Sequence, residues 1–269
     1  MRAMLTPRRA PETQLRKQLV QFGRLCYERH LLVGLDGNLS VRLTDSLVLA
    51  TRAGVHKGLM TADDLVVVDL SGRKLRGQGR PTSEMAMHLA CYRERPDIEA
   101  VVHAHPPTAV AFTIAGLSLA RCVLPEVVLT LGTIPTLPYA TTGTEDLAEE
   151  VAAAATRHDA LLLDRHGAVC LGTSVEEAFC KLETLEHLAI IMKAARDLGR
   201  IQDLPAEEAA HLRRMGLARY GGPPAAVAVA DAPMADLPDA CRACSGCGNP
   251  RADGLAPPAG FSVARLTRG

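Results

Sequence analysis

Three histidines carry the chemistry that this chain could perform. His103 and His105 lie one residue apart at the end of an apolar run, and His166 closes another run in Leu-Leu-Leu-Asp-Arg-His-Gly. Alternation along a strand sends residues 103 and 105 to the same face, which is what chelation requires. Three imidazoles make an open metal site, with a coordination position left for substrate or water. Zinc suits such a set best, and other first-row divalent ions also accept it. Glu84 stands upstream in Arg-Pro-Thr-Ser-Glu. A carboxylate beside a metal but outside its ligand set can serve as acid or base.

Each residue alone has a plainer explanation. An acid in a first helical turn is favoured by the helix dipole without any further role. That does not account for Thr82 and Ser83, two hydroxyls beside the free N–H groups of a helix start, which make an anion pocket. The turn at Gly37-Asn38 exposes backbone amides in the same way, and so does Gly54. One such loop is only a turn, but three around a metal suggest a phosphate cradle. His88 lies one helical turn after Glu84, placed to orient it. His30, His56, His158, His187 and His211 read as surface or helix-end residues.

The elements that must position these groups follow from periodicity. Leu15, Leu19, Phe22, Leu25 and Cys26 predict a helix over 12–31. Short strands are expected at 40–43, 47–51 and 65–70, then a helix from about Ser83 to Arg95, stopped by Pro96. A buried strand at 100–105 and a short helix at 108–115 come next. A strand at 131–137 and an Ala-rich helix at 145–157 follow. Runs at 160–163 and 168–171 flank His166-Gly167. Ser174-Val-Glu-Glu177 reads as a capping box that opens a long helix ending before Gly199. Several strands succeed one another without a helix between them. The fold class expected is therefore α/β, a central mixed sheet covered by helices.

Composition bounds the rest. The chain has 269 residues, enough for one large domain with appendages. Lys+Arg and Asp+Glu number 30 each, so no global field attracts nucleic acid or anionic membrane. Aromatic residues are 3% and Trp is absent, which argues against a stacking surface for single strands. No long apolar segment follows the basic N-terminus, so neither a signal peptide nor a membrane span is expected. Cys26, Cys91, Cys122, Cys170 and Cys180 sit mostly in apolar contexts and read as reduced thiols of a cytoplasmic protein. After about residue 220 the chain becomes rich in Ala, Pro and Gly, so 221–269 reads as an irregular tail beside a folded unit at 1–220. Within the tail, Cys241, Cys244 and Cys247 have the spacing of half a zinc knuckle. A structural zinc site wants four ligands, and the tail has no fourth Cys or His.

The chain resembles the class II aldolase/adducin family over roughly residues 12–220. The motifs are Gly-Asn-Leu-Ser-Val-Arg (37–42), Ala-Gly-Val-His-Lys-Gly (53–58), Thr-Ser-Glu (82–84), His-Ala-His-Pro (103–106), Pro-Tyr-Ala-Thr-Thr-Gly-Thr (138–144) and Arg-His-Gly-Ala-Val (165–169). The resemblance is nearest to the L-fuculose-1-phosphate aldolase branch. It implies a mainly antiparallel sheet with helices on both sides and a homotetramer with sites at subunit interfaces. It also implies zinc on His103, His105 and His166, Glu84 as acid/base, and a sugar phosphate held by Gly37, Asn38, Gly54, Thr82 and Ser83. Tyr220 matches a family tyrosine that reaches a neighbouring subunit from the C-terminal region. Two positions depart from the pattern. Ala53, after Arg52, stands where a Ser or Thr is usual. Residues 117–130 lack the family's other tyrosine, and Glu126 occupies that neighbourhood. The reaction expected is cleavage of a ketose 1-phosphate to dihydroxyacetone phosphate and an aldehyde. Epimerase, dehydratase and decarboxylase relatives share the chemistry, although the epimerases usually carry Asp at the place of Glu84. A non-catalytic adducin-like scaffold would lack the histidine triad.

Overall fold

The computed structural model describes residues 9–223. Helix α1 (Glu12–Glu28) buries Leu15, Leu19, Phe22 and Cys26, the stripe its spacing predicts. Strands β1 (Asn38–Arg42), β2 (Leu47–Thr51), β3 (Leu65–Asp69) and β4 (Lys74–Arg76) follow as a meander. Next come α2 (Met85–Glu94), β5 (Ala100–Ala104), α3 (Pro107–Ile114), α4 (Pro125–Thr130), β6 (Thr136–Leu137) and α5 (Glu145–Ala155). The hairpin β7 (Ala160–Leu163) and β8 (Gly167–Gly172) leads into α6 (Val175–Leu198) and α7 (Ala206–Tyr220).

These strands form one sheet in the order β4-β3-β2-β1-β5-β8-β7-β6. Every neighbouring pair is antiparallel except β6 with β7. Period-2 alternation splits the core in two. Leu39, Val41, Ala100, Val102, Ala104, Ala168 and Cys170 face α1, α3 and α6. Val48, Val66, Val101, Leu161, Val169 and Leu171 face α2 and α5. The sheet is thus mixed, mainly antiparallel and covered on both sides by helices.

The structure departs from the sequence reading in four places. A strand at 131–137 does not form, and only Thr136–Leu137 pairs with β7. The preceding segment is α4 instead, with Pro125 preset at its first turn and Val127 and Val128 buried. Strand β4 has no apolar signal, because its three residues are exposed and only pairing with β3 makes them a strand. Helix α7 has no clear apolar period either; it packs on α4 so closely that a Cβ on Gly216 would lie 2.0 Å from the Leu129 carbonyl oxygen. The α6 cap is half a capping box. Ser174 accepts the Glu177 N–H at 3.1 Å, but the Glu177 carboxylate takes the Thr173 N–H. Cys26, Cys91, Cys122 and Cys170 are buried, whereas Cys180 is exposed. Cys241, Cys244 and Cys247 lie outside the described residues.

Candidate metal centre

The middle of the sheet builds the site. Residues 101 and 103 share a face of β5, and that face looks toward α2. His103 is fully buried on it, and His105 comes just past the strand end. The β7–β8 hairpin brings His166 beside them, so that one ring nitrogen from each histidine falls within 4.8 Å of the others. Gly167 makes this approach feasible. A Cβ there would lie 2.4 Å from the Ala104 carbonyl oxygen and 2.8 Å from the His105 ring. Gly37 has the same function on the other side. Its φ is +65°, and a Cβ would strike Leu32 and the His103 carbonyl oxygen.

Glu84 enters from the residue that precedes α2. Its carboxylate oxygens lie 3.1 Å from His103 Nε2 and 3.2 Å from His166 Nε2. His105 Nε2 lies 3.2 Å from His103 Nε2. Ligand atoms about 2.05 Å from a tetrahedral ion stand roughly 3.3 Å apart, so the His103–His105 separation fits a shared divalent ion, and Glu84 stands at the same range. The donors are chemically ready for one. His103 Nδ1 donates to the Ala168 carbonyl oxygen at 3.0 Å, which leaves the Nε2 lone pair facing the cluster. Asp36 lies 3.6 Å from His105 Nδ1 on its far side. Glu84 Oε1 and His166 Nδ1 are buried without a hydrogen-bond partner. Lone pairs of nitrogen and carboxylate oxygen that face one another at this range call for a cation between them.

Electrostatics agree with that reading. Burial, and then the neighbouring rings, push His105 and His166 down to about 4, so both are neutral near pH 7. Burial alone would raise the Glu84 carboxyl. The His103 ring, the Asn38 amide and the His166 ring outweigh it and hold the carboxyl well below the usual carboxylate range.

The predicted anion loops meet at the same end. Ala53 N–H donates to the Arg80 carbonyl at 2.9 Å and Arg52 bridges to Pro81, so the Gly54 loop runs beside Thr82 and Ser83. Gly54 is exposed, with nothing within 4 Å of a would-be Cβ. Thr82 is buried and Ser83 exposed. Arg52 does not replace the hydroxyl missing at Ala53, because its guanidinium holds Asp64 at 2.7 Å. Asn38 is the first residue of β1 rather than part of a turn, paired with His103 across the ladder. Its side-chain amide donates to Glu84 at 2.9 Å. Tyr220 is not brought to this cluster. It ends α7, its ring is half exposed and lies against Arg219. Glu126 is exposed in the first turn of α4.

Some supporting residues have no sequence signal. Glu186 of α6, nearly buried, accepts the N–H groups of Thr108 and Ala109 at 2.9 Å each. It therefore caps α3, the helix that starts two residues after His105. Lys57 is buried and donates to the carbonyls of Leu35 and Val55, which ties the loop before β1 to the Gly54 loop. Burial pushes its ammonium down to about 8.

Comparison with known proteins places this geometry in a family. Residues 17–192 match the Class II Aldolase and Adducin N-terminal domain. An L-fuculose phosphate aldolase of Methanococcus vannielii is 38% identical over 173 residues, covering 64% of this chain and 92% of the relative. A 3-oxo-tetronate 4-phosphate decarboxylase of Pectobacterium atrosepticum is 34% identical over 205 residues, covering 75% and 93%. The crystal structure of YgbL from Klebsiella pneumoniae superposes with a TM-score of 0.72 at 35% identity, covering 76% of this chain and all of that one (100%). A three-histidine site at the centre of a two-faced sheet, joined to these likenesses, makes the chain a member of the class II aldolase and adducin family.

Proposed function

We propose that this protein is a zinc-dependent lyase that releases dihydroxyacetone phosphate, with an L-fuculose-1-phosphate-type ketose 1-phosphate as its substrate and an aldehyde as the second product. The observation that carries the reading is Glu84, a buried carboxylate within 3.2 Å of two of three convergent imidazoles. A second reading has a specific basis, because decarboxylases of 3-oxo-tetronate 4-phosphates are also similar to this chain. Loss of carbon dioxide from such a keto acid leaves the same carbanion of dihydroxyacetone phosphate as aldol cleavage does. The two readings differ only in the group that departs.

A divalent ion on His103, His105 and His166 would supply Lewis-acid stabilisation of the charge that develops on the substrate oxygens. The chain's own groups do the rest. Gly37, Asn38, Gly54, Thr82 and Ser83 would hold the phosphate and fix the reacting carbon beside Glu84. The Glu84 carboxyl gives the proton that converts the carbanion to dihydroxyacetone phosphate, and takes it back in synthesis. Among the described residues Tyr220 makes no bond to the cluster of its own chain, so as proton donor it would act on the site of a neighbouring copy. The proposed working form is a cytoplasmic homotetramer.

Deuterium exchange tests the shared step. The zinc-loaded protein in heavy water should exchange one hydroxymethyl hydrogen of dihydroxyacetone phosphate, read by proton NMR. No exchange would remove both readings. Coupled detection of dihydroxyacetone phosphate from L-fuculose 1-phosphate and from a 3-oxo-tetronate 4-phosphate then separates them.

A further inference from the structure

Beneath Glu84, one face of α2 meets one face of β1 through polar side chains. Glu84, His88 and Tyr92 repeat every four residues, and Asn38, Ser40 and Arg42 every two. Eight residues of helix advance about 12 Å, and four of strand about 13 Å. The two periods therefore match over this length, and the side chains interleave in pairs. Asn38 Nδ2 donates to Glu84 Oε2 at 2.9 Å, and His88 Nε2 lies 2.5 Å from Asn38 Oδ1. Ser40 Oγ lies 2.7 Å from His88 Nδ1 and 2.9 Å from the Tyr92 hydroxyl. Arg42 closes the far end, with its guanidinium 4.7 Å over the Tyr92 ring. His88 and Ser40 are completely buried, and Tyr92 and Asn38 nearly so.

The direction of every bond follows from one end. An ionised carboxylate only accepts, so Asn38 must turn its N–H to Glu84 and its carbonyl to His88. The carbonyl only accepts, so His88 Nε2 carries the proton and Nδ1 does not. Nδ1 then accepts from Ser40, whose oxygen accepts from Tyr92. An amide is nearly symmetric in shape, so sterics do not choose the orientation of Asn38; its partners do. A His88 protonated at Nδ1 would reverse Asn38 and set a carbonyl against the Glu84 carboxylate.

We infer that His88 is a positioning residue: with Ser40 and Tyr92 it fixes the orientation of the Asn38 amide and thereby the place of the Glu84 carboxylate. This rests on Glu84 as the acid/base. The chain needs no proton to travel along it. Its contribution is a rigid, one-way set of bonds to a carboxylate that must stay aimed at a reacting carbon.

The test uses the zinc-loaded protein and two readouts. Nitrogen-15 NMR of labelled histidine should show His88 protonated at Nε2, with the signal assigned by its loss in His88→Gln. A His88 protonated at Nδ1 would overturn the inference. Deuterium exchange into dihydroxyacetone phosphate supplies the second readout. His88→Leu should slow exchange about 10- to 100-fold at saturation, with half-saturation and zinc content within about twofold. Gln places an amide nitrogen near the Nε2 position and should restore most of the rate. Asn mimics only Nδ1 and should not. Equal rates in the Gln and Asn variants, or normal exchange in the Leu variant, would overturn the proposal. If His88→Leu does not fold, Ser40→Ala takes its place. It should move part of His88 to the Nδ1–H tautomer and slow exchange, and an unaltered rate would again overturn it. A wild-type protein that exchanges nothing removes the acid/base role of Glu84, while the tautomer measurement still decides the bond chain.

Discussion

Each side chain at the centre does a separable job, so single substitutions should part metal binding from proton transfer. His105→Ala removes one of three convergent nitrogens and should strip the metal, read by elemental analysis; full metal content in all three His→Ala variants would mean the site is misassigned. Glu84→Gln keeps shape and removes the proton acceptor. Turnover should fall by about two to four orders of magnitude with metal retained, as for loss of a positioned acid or base. His88 gives a pH dependence of stability. Burial first, and then the proximity of His103, push it down to about 3 from an ordinary value of 6.5. Below about 6.5 the unfolded chain binds a proton that the folded one refuses, so stability falls as pH falls. The slope reaches about 1.4 kcal/mol per pH unit, or about 2 kcal/mol between pH 6.5 and 5. The slope fades as pH rises through 6.5 and is nearly gone by about pH 7.5. Denaturant melts of metal-free protein at pH 7 and 5 should show less acid loss in His88→Gln than in the parent, by about that amount.

Among the elements, α3 and the β7–β8 hairpin aim the ligands. Helix α3 starts with Pro106 at the cap and Pro107 inside it, and neither side chain caps the free N–H groups. Glu186 of α6 satisfies those of Thr108 and Ala109 instead. Glu186→Ala should cost about 2–4 kcal/mol, since it leaves two donors of a packed helix start without a charged partner. Thermal melts would measure this, and a loss of zinc affinity should accompany it, because the chain leaving His105 enters α3 directly. The first residue of β8, Gly167, is the other constraint. A Cβ at residue 167 would press on the Ala104 carbonyl and both rings of the β5 pair. Gly167→Ala should therefore displace His166 from the cluster and lower metal content even where the protein still folds.

At the scale of the whole molecule, assembly and the C-terminal residues 221–269 can be tested together. Helix α7 packs on α4, and Tyr220 ends it half exposed, with no bond to the cluster of its own chain among the described residues. A truncation after Tyr220 should remain a folded, metal-loaded oligomer with activity. Tyr220→Phe should lower turnover while light scattering shows the same assembly. An unfolded truncation would give residues 221–269 a structural role and reopen the question of metal at Cys241, Cys244 and Cys247. A fully active Tyr220→Phe protein would leave proton donation to another group.

The convergence of the three histidines was legible in the sequence because it depends on local rules. Strand alternation puts 103 and 105 on one face, a helix start comes after Ser83, and an apolar run ends at His166; each is a short-range consequence of period and residue type. The same rules located most of the sheet and α1, α2, α3, α5 and α6. Local rules failed where a partner decides the structure. Strand β4 exists only because β3 offers a free edge. Of the strand expected at 131–137 only Thr136–Leu137 forms, where β7 offers a parallel partner, and α4 just before it takes its form by packing on α6 and α7. The roles of Glu186, Ser40 and Tyr92 were invisible for the same reason, since each acts across 12 or more residues or between a helix and a strand. His88 was legible only as a neighbour of Glu84 one turn away. Its bonds to Asn38 and Ser40 required the matched rise of α2 and β1, which is a property of how the two pack and not of either segment alone.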